Sequence, residues 1–114
     1  MKPRSIYLTV TQLFNLEHVC SCLPLAFGHC TYLVGSVLER PTWRDVDLRC
    51  ILDDNEYDTF IGNNKARLRL LNTSISEWIS SRTELPVDFQ FQRMTEANES
   101  FEGNRSYIGK SIDH

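Results

Sequence analysis

Residues 45–52 read Asp-Val-Asp-Leu-Arg-Cys-Ile-Leu, and their character alternates. Val46, Leu48, Cys50 and Leu52 are apolar, whereas Asp45, Asp47 and Arg49 are charged and only Ile51 breaks the second series. Successive side chains of a strand leave on opposite faces. The segment is therefore a strand with one face for a core and one that opens on two carboxylates. Such a strand needs helices or a second sheet over its apolar side. It also needs a reason to hold like charges together on the other.

Residues 87–92 repeat the pattern, with Val87, Phe89 and Phe91 against Asp88, Gln90 and Gln92, and 31–34 (Thr-Tyr-Leu-Val) reads as a short strand entering Gly35-Ser36. Between and before these lie helical periods. Leu13, Leu16, Cys20, Leu23 and Phe27 recur at three- and four-residue spacing, with Thr11 as the expected cap, Pro24 expected to kink or split the helix near its end, and Gly28 as a stop. Asp53-x-x-Glu56 resembles a capping box opening a short helix around Tyr57 and Phe60. A longer helix is expected over 65–82, with Leu68, Leu71, Ile75, Trp78 and Ile79 as its apolar stripe. The tail is polar; 95–100 can form a short helix, and Phe101, Tyr107 and Ile108 are candidate anchors. Helices between strands predict one α/β (α+β) domain over residues 1–114, a small mixed sheet with helices packed over it.

The chain has 114 residues and a formal net charge of −3, which argues against a protein that wraps a polyanion. No apolar run approaches the roughly 20 residues that span a bilayer, so no membrane association is expected. Polar residues Thr9, Thr11, Gln12 and Asn15 interrupt the N-terminal segment, so no secretory leader is expected either. The four cysteines (Cys20, Cys22, Cys30, Cys50) are then expected as buried, reduced thiols in a cytoplasm. The His18, Cys20, Cys22, His29, Cys30 cluster lacks the spacing of a structural zinc site. The glycosylation-like triplets at Asn72, Asn98 and Asn104 are read as chance.

Asp45 and Asp47 carry the chemistry. Carboxylates at i and i+2 of a strand stand about 6–7 Å apart at the backbone, so their ends can converge on one small hard cation such as Mg²⁺. If the strand bearing Asp88 pairs beside them, a third carboxylate joins, enough for two ions about 3.5–4 Å apart. Gly35 permits close backbone approach to a phosphate, and Ser36 adds a hydroxyl. Arg44 and Arg49 suit phosphate oxygens, with Arg40 and Arg93 nearby in sequence. The bland reading is a solvated strand face, a plain turn and Arg49 paired with Asp47. Trp43 and Trp78 are read as packing residues.

Leu33-Val34-Gly35-Ser36, Asp45-Val46-Asp47-Leu48 and Val87-Asp88-Phe89 together resemble the signature of the nucleotidyltransferase superfamily, the group that includes polymerase β. The resemblance covers about residues 29–93, and residues 44–58 and 76–98 also resemble small nucleotidyltransferase-like proteins of phages. It implies transfer of a nucleoside monophosphate from a triphosphate, ATP by default, to an acceptor hydroxyl, with release of pyrophosphate. The turn (Gly35, Ser36) handles the triphosphate, and Asp45, Asp47 and Asp88 hold two Mg²⁺ or Mn²⁺ ions. The acceptor (protein, nucleic acid or small molecule) stays open. Larger relatives carry a second domain, so this chain is expected to complete its site as a homodimer or with a helical partner protein. If phage-encoded, it would act in a host cytoplasm. The alternative is a non-catalytic nucleotidyltransferase-like domain that binds a partner protein or a nucleotide.

Overall fold

The computed structural model describes residues 6–28, 31–101 and 105–108. Of the two outcomes expected at Pro24, the structure shows the split: α1 (Val10–Cys20) and α2 (Cys22–Phe27). Pro24 has no N–H to offer the Cys20 carbonyl and its ring would clash with it. Restarting the helix at Cys22 moves Pro24 into a first turn, where neither matters. The cap of α1 is Thr9 rather than Thr11. Its hydroxyl accepts from the Gln12 N–H at 3.0 Å, and the Gln12 side-chain Oε1 accepts from the Thr9 N–H at 2.8 Å. Gly28 ends α2 at φ 72°, as expected.

Strands β1 (Thr31–Val34), β2 (Val46–Leu52), β3 (Val87–Arg93) and β4 (Ser106–Ile108) form one mixed sheet in the order β3-β2-β1-β4. β1 runs antiparallel to β2 and β4, while β2 and β3 are parallel. The architecture is α+β. A parallel pair needs a long crossover, here α3 (Asp54–Phe60) and α4 (Lys65–Thr83). Asp53 precedes α3 but its side chain makes no capping hydrogen bond, so the expected box does not form. Asp54 is the anchor instead: its carboxylate accepts from the Thr95 N–H and hydroxyl and ties α3 to α5 (Met94–Phe101). β4 lies in the tail that the sequence left unassigned; Ile108 is buried there and Tyr107 meets Tyr32 edge-on at 6.0 Å. The Phe101 side chain lies outside the described residues.

The even residues of β2 meet Leu33, Val87, Phe89 and Phe91 in a core shared with Leu16, Cys20 and Leu23 of the first two helices and Ile79 of α4. Phe91 sits among Phe27, Phe60 and Phe89 at 4.9–5.4 Å, all near-perpendicular. On the opposite face, Ile51 is buried and α5 packs on β2 and β3 through fully buried Ala97. Alternation predicts Ile51 on the charged face, and its burial follows from this cover. Among the described residues, no helix is long and apolar enough to cross a membrane.

β3 is an edge strand of the sheet, and its outward N–H groups need partners. Helix α4 supplies them. The Ser80 hydroxyl accepts from Val87 N at 3.0 Å, Ser76 from Phe89 N at 2.8 Å, and the Asn72 amide oxygen from Phe91 N at 3.1 Å. Four helical residues rise about 6 Å and two strand residues about 6.6 Å, so the two series stay in step. Ser76→Ala should leave the Phe89 N–H unpaired and cost about 1–3 kcal/mol by urea denaturation. Exposed Ser81, whose hydroxyl bonds only the Trp78 carbonyl of its own helix, should change by under about 0.5 kcal/mol as Ser81→Ala.

Candidate active site

In the parallel β2–β3 pairing, Asp47 stands opposite Asp88; on the other flank Val34 stands opposite Asp47. Residues paired across strands about 4.8 Å apart share a face. The three motifs therefore meet, although 12 and 41 positions separate Gly35 from Asp47 and Asp47 from Asp88. Gly35 begins a short 3₁₀ turn (Gly35–Leu38) at φ 78°, and a Cβ there would lie 2.5 Å from Asp47 Oδ2. Any larger residue there would have to push that carboxylate aside and hold a left-handed backbone. Ser36 is half-buried in the turn, and its carbonyl accepts from Glu39 N and Arg40 N. Asp45 lies just before β2 rather than within it, and is exposed.

Burial raises the Asp47 carboxyl above the ordinary carboxylate value. The neighbouring Arg49 pulls it down, and the charges of Asp88 and Asp45 push it up again. Arg49 pairs with Asp88 rather than with Asp47. Its Nη2 lies 3.8 Å from Asp88 Oδ2, and its Nη1 donates to the carbonyls of Leu48 at 2.9 Å and Asp88 at 3.1 Å. The Gln90 amide donates to both Asp88 oxygens at 3.3 and 3.4 Å. Asp88 is thus held from two sides by its own chain, while Asp47 has the glycine turn beside it.

Other expectations fall elsewhere. Arg44 is exposed at the entry to β2. Arg93 lies at the far end of β3, paired with Asp54 and Asp58, and Arg40 pairs with Glu39; neither faces the carboxylates. Asp54 and Asp58 are thus ion-pair partners of Arg93. Thr95 above all, then Arg93, lowers the Asp54 carboxyl below the ordinary value. Trp43 is held by its indole N–H, which donates to the Tyr7 carbonyl at 2.6 Å, and Trp78 carries the Arg82 guanidinium 4.6 Å from its ring centre. Cys20 and Cys50 are buried, and burial pushes the Cys20 thiol up to about 12. Cys22 is exposed, against expectation, because two residues beyond buried Cys20 it falls on the opposite side of the helical path from the core. His29 and Cys30 lie outside the described residues.

The donor set of Asp45, Asp47 and Asp88 consists of hard oxygens, the chemistry Mg²⁺ takes. Among the described residues, no three Asp, Glu, His or Cys side chains are gathered as a metal site. Asp47 and Asp88 are neighbours, Asp45 stands outside the strand, and Asp88 is turned to Arg49 and Gln90. The sequence reading also missed a groove of about 700 Å³ between α4 and β3, whose wall includes Asp88. Its signal was the four-residue spacing of Asn72, Ser76 and Ser80, polar positions beside the apolar stripe of α4. No protein-family model, curated protein or solved structure matches this chain.

The raised Asp47 carboxyl fixes a sign. Its protonated form favours the fold, so that contribution is present below the ordinary carboxylate value and lost as pH rises through the raised one. At pH 7 Asp47→Asn should melt a few degrees above the parent, the gain staying within about 1 kcal/mol because water screens a half-exposed group. The gap should close as pH falls to 3.5. Asp88→Asn loses its Arg49 partner and should gain nothing. Gly35→Ala should cost about 1–3 kcal/mol from the left-handed backbone and the carboxylate clash, and less in an Asp47→Ala background.

Proposed function

We propose that this chain is a divalent-metal-dependent nucleotidyltransferase domain, moving a nucleoside monophosphate from a triphosphate to an acceptor hydroxyl and releasing pyrophosphate. One observation carries the reading: Asp47 and Asp88 are in-register neighbours beside a turn that opens on a left-handed glycine lying against the Asp47 carboxylate. Asp45, Asp47 and Asp88 would hold Mg²⁺ or Mn²⁺, and bound ions would neutralise triphosphate charge. The raised Asp47 carboxyl fits this reading, since a cation among these carboxylates removes the repulsion that helps to raise it. Gly35 and Ser36 would meet the triphosphate, Arg44 and Arg49 would steady its oxygens, and Asp88 would accept the acceptor's proton as general base. Catalysis is then mostly positioning and charge neutralisation. ATP is the first donor to try, and a second copy or a helical partner would complete the acceptor side.

One observation favours a second reading, a non-catalytic domain that binds a nucleotide or a partner protein. Arg49 already neutralises Asp88, which a resting scaffold would retain. Incubation with each labelled triphosphate and Mg²⁺ or Mn²⁺ separates the two. Transfer to the chain, to a nucleic acid or to a small alcohol is expected, and it should fall at least a hundredfold in Asp47→Asn. No transfer by a folded protein would leave only the binding reading. Millimolar Mn²⁺ (about where such sites fill) should raise the parent's melting temperature by linkage and that of Asp45→Asn, Asp47→Asn and Asp88→Asn much less. Equal shifts in all four proteins would falsify the shared cation site.

A further inference from the structure

The groove between α4 and β3 has a charge gradient that the reaction above does not use. One helix face lines it, and β3 forms the opposite wall. At one end lie Lys65 and Arg69, one turn apart; at the other lie Glu77 and Asp88. Lys65 and Arg69 are exposed, and neither makes an ion pair with any described residue, whereas Arg40, Arg49 and Arg93 all do. Thr73 and Gln90 add hydrogen-bonding side chains to the lining. The volume of about 700 Å³ is that of a site for a compact organic molecule.

The helix supplies a ruler. Ser76 bonds both the N–H and the carbonyl of Phe89 and Ser80 bonds the N–H of Val87, so Asp88 lies level with the stretch of α4 between them. Arg69 stands about two and a half turns away, about 13 Å along the axis, and Lys65 one turn further, about 20 Å. Both side chains are long and can reach back toward Asp88. A ligand seated here carries its anionic end against Lys65 and Arg69 and an uncharged polar end against Glu77 and Asp88. The reverse orientation would press an anion onto two carboxylates.

We propose that this groove is the acceptor site, and that the acceptor is a small phosphorylated alcohol of nucleotide or sugar-phosphate size. Its phosphate sits on Lys65 and Arg69 and its hydroxyl lies beside Asp88. The inference rests on the nucleotidyltransferase reading for the word acceptor, but the binding it requires does not. A small acceptor is favoured over a polynucleotide because the chain carries a net charge of −3, with only two unpaired cations along this groove. In the transfer, the acceptor oxygen bonds to the α-phosphorus of the triphosphate as the bond to pyrophosphate breaks. The hydroxyl proton passes to Asp88, and pyrophosphate leaves.

The test is binding without triphosphate or metal, read by amide chemical shifts of the whole chain. The probes are adenosine 5′-monophosphate, a hexose phosphate, the matching nucleoside and free hexose, and a six-residue single-stranded oligonucleotide. The phosphorylated probes should perturb amides from Lys65 to Glu77, and the unphosphorylated ones should bind at least tenfold more weakly. Whichever phosphorylated probe binds more tightly tells the nucleotide source from the sugar source. Lys65→Gln with Arg69→Gln should weaken that binding at least tenfold, while Arg82→Gln, outside the groove, should not change it. Perturbation confined to Gly35–Asp47, no loss in the double variant, or tightest binding of the oligonucleotide would each overturn the proposal. Failure of transfer with intact groove binding would instead sink the nucleotidyltransferase reading and leave the phosphate site standing.

Discussion

The outer N–H groups of β3 are the constraint on which this fold turns. A parallel β2–β3 pair at a sheet margin exposes donors that cannot stay unpaired beneath a helix. Here α4 meets Val87, Phe89 and Phe91 with Ser80, Ser76 and Asn72, one side chain per outward amide. These bonds fix where the helix lies along the strand. They also close an edge that would otherwise invite pairing with another chain. The same helix sends Ile79 into the core and its half-buried Leu68, Leu71, Ile75 and Trp78 against it, so one element both caps the edge and covers the apolar face.

What this arrangement secures on the other side is a row of charge. A one-residue slip of β3 would carry Asp88 into the core and bring Phe89 out. The hydrophobic alternation and the hydroxyl ladder each forbid that slip. Asp47 and Asp88 are therefore neighbours because of bonds made at the opposite edge of β3, not because anything at the carboxylates draws them together. Their mutual repulsion, together with the burial of Asp47, is a cost carried by the rest of the fold. Arg49 offsets part of it, bound to Asp88 and to two backbone carbonyls.

The sequence made the strands legible, because β1, β2 and β3 each carry a period-two or compact apolar pattern, and residues 45–52 carried it most clearly. It made α4 legible through its apolar stripe. It left open whether Pro24 kinks or splits the first helix, because the missing N–H permits either; the chain splits, and Pro24 falls in the first turn of α2. It missed β4 because three residues hold no period. The candidate site was legible as residue types at a spacing, but the side chains' actual partners were not. Nothing along the chain says that Arg49 turns to Asp88 rather than Asp47, because that choice follows from which strand lies beside β2. Arg93 was wrongly drawn toward the site for the same reason. It is five residues from Asp88 in sequence and at the other end of the strand in space.

The close approach of Gly35 to Asp47 joins these arguments. A turn residue with a side chain would push the carboxylate toward Asp88 or displace the turn, and the left-handed backbone would add its own strain. With glycine there, β1 can end directly against β2 and Asp47 keeps its position on the sheet. The carboxylate then has a backbone turn on one flank and a second carboxylate on the other, with an arginine one step further along its own strand. Its surroundings are thus set by three neighbours, none of which can be moved without disturbing the pairing of β1, β2 and β3. A phosphate or a cation meeting this face would find donors and acceptors already fixed by the sheet, which is the condition for positioning to do chemical work.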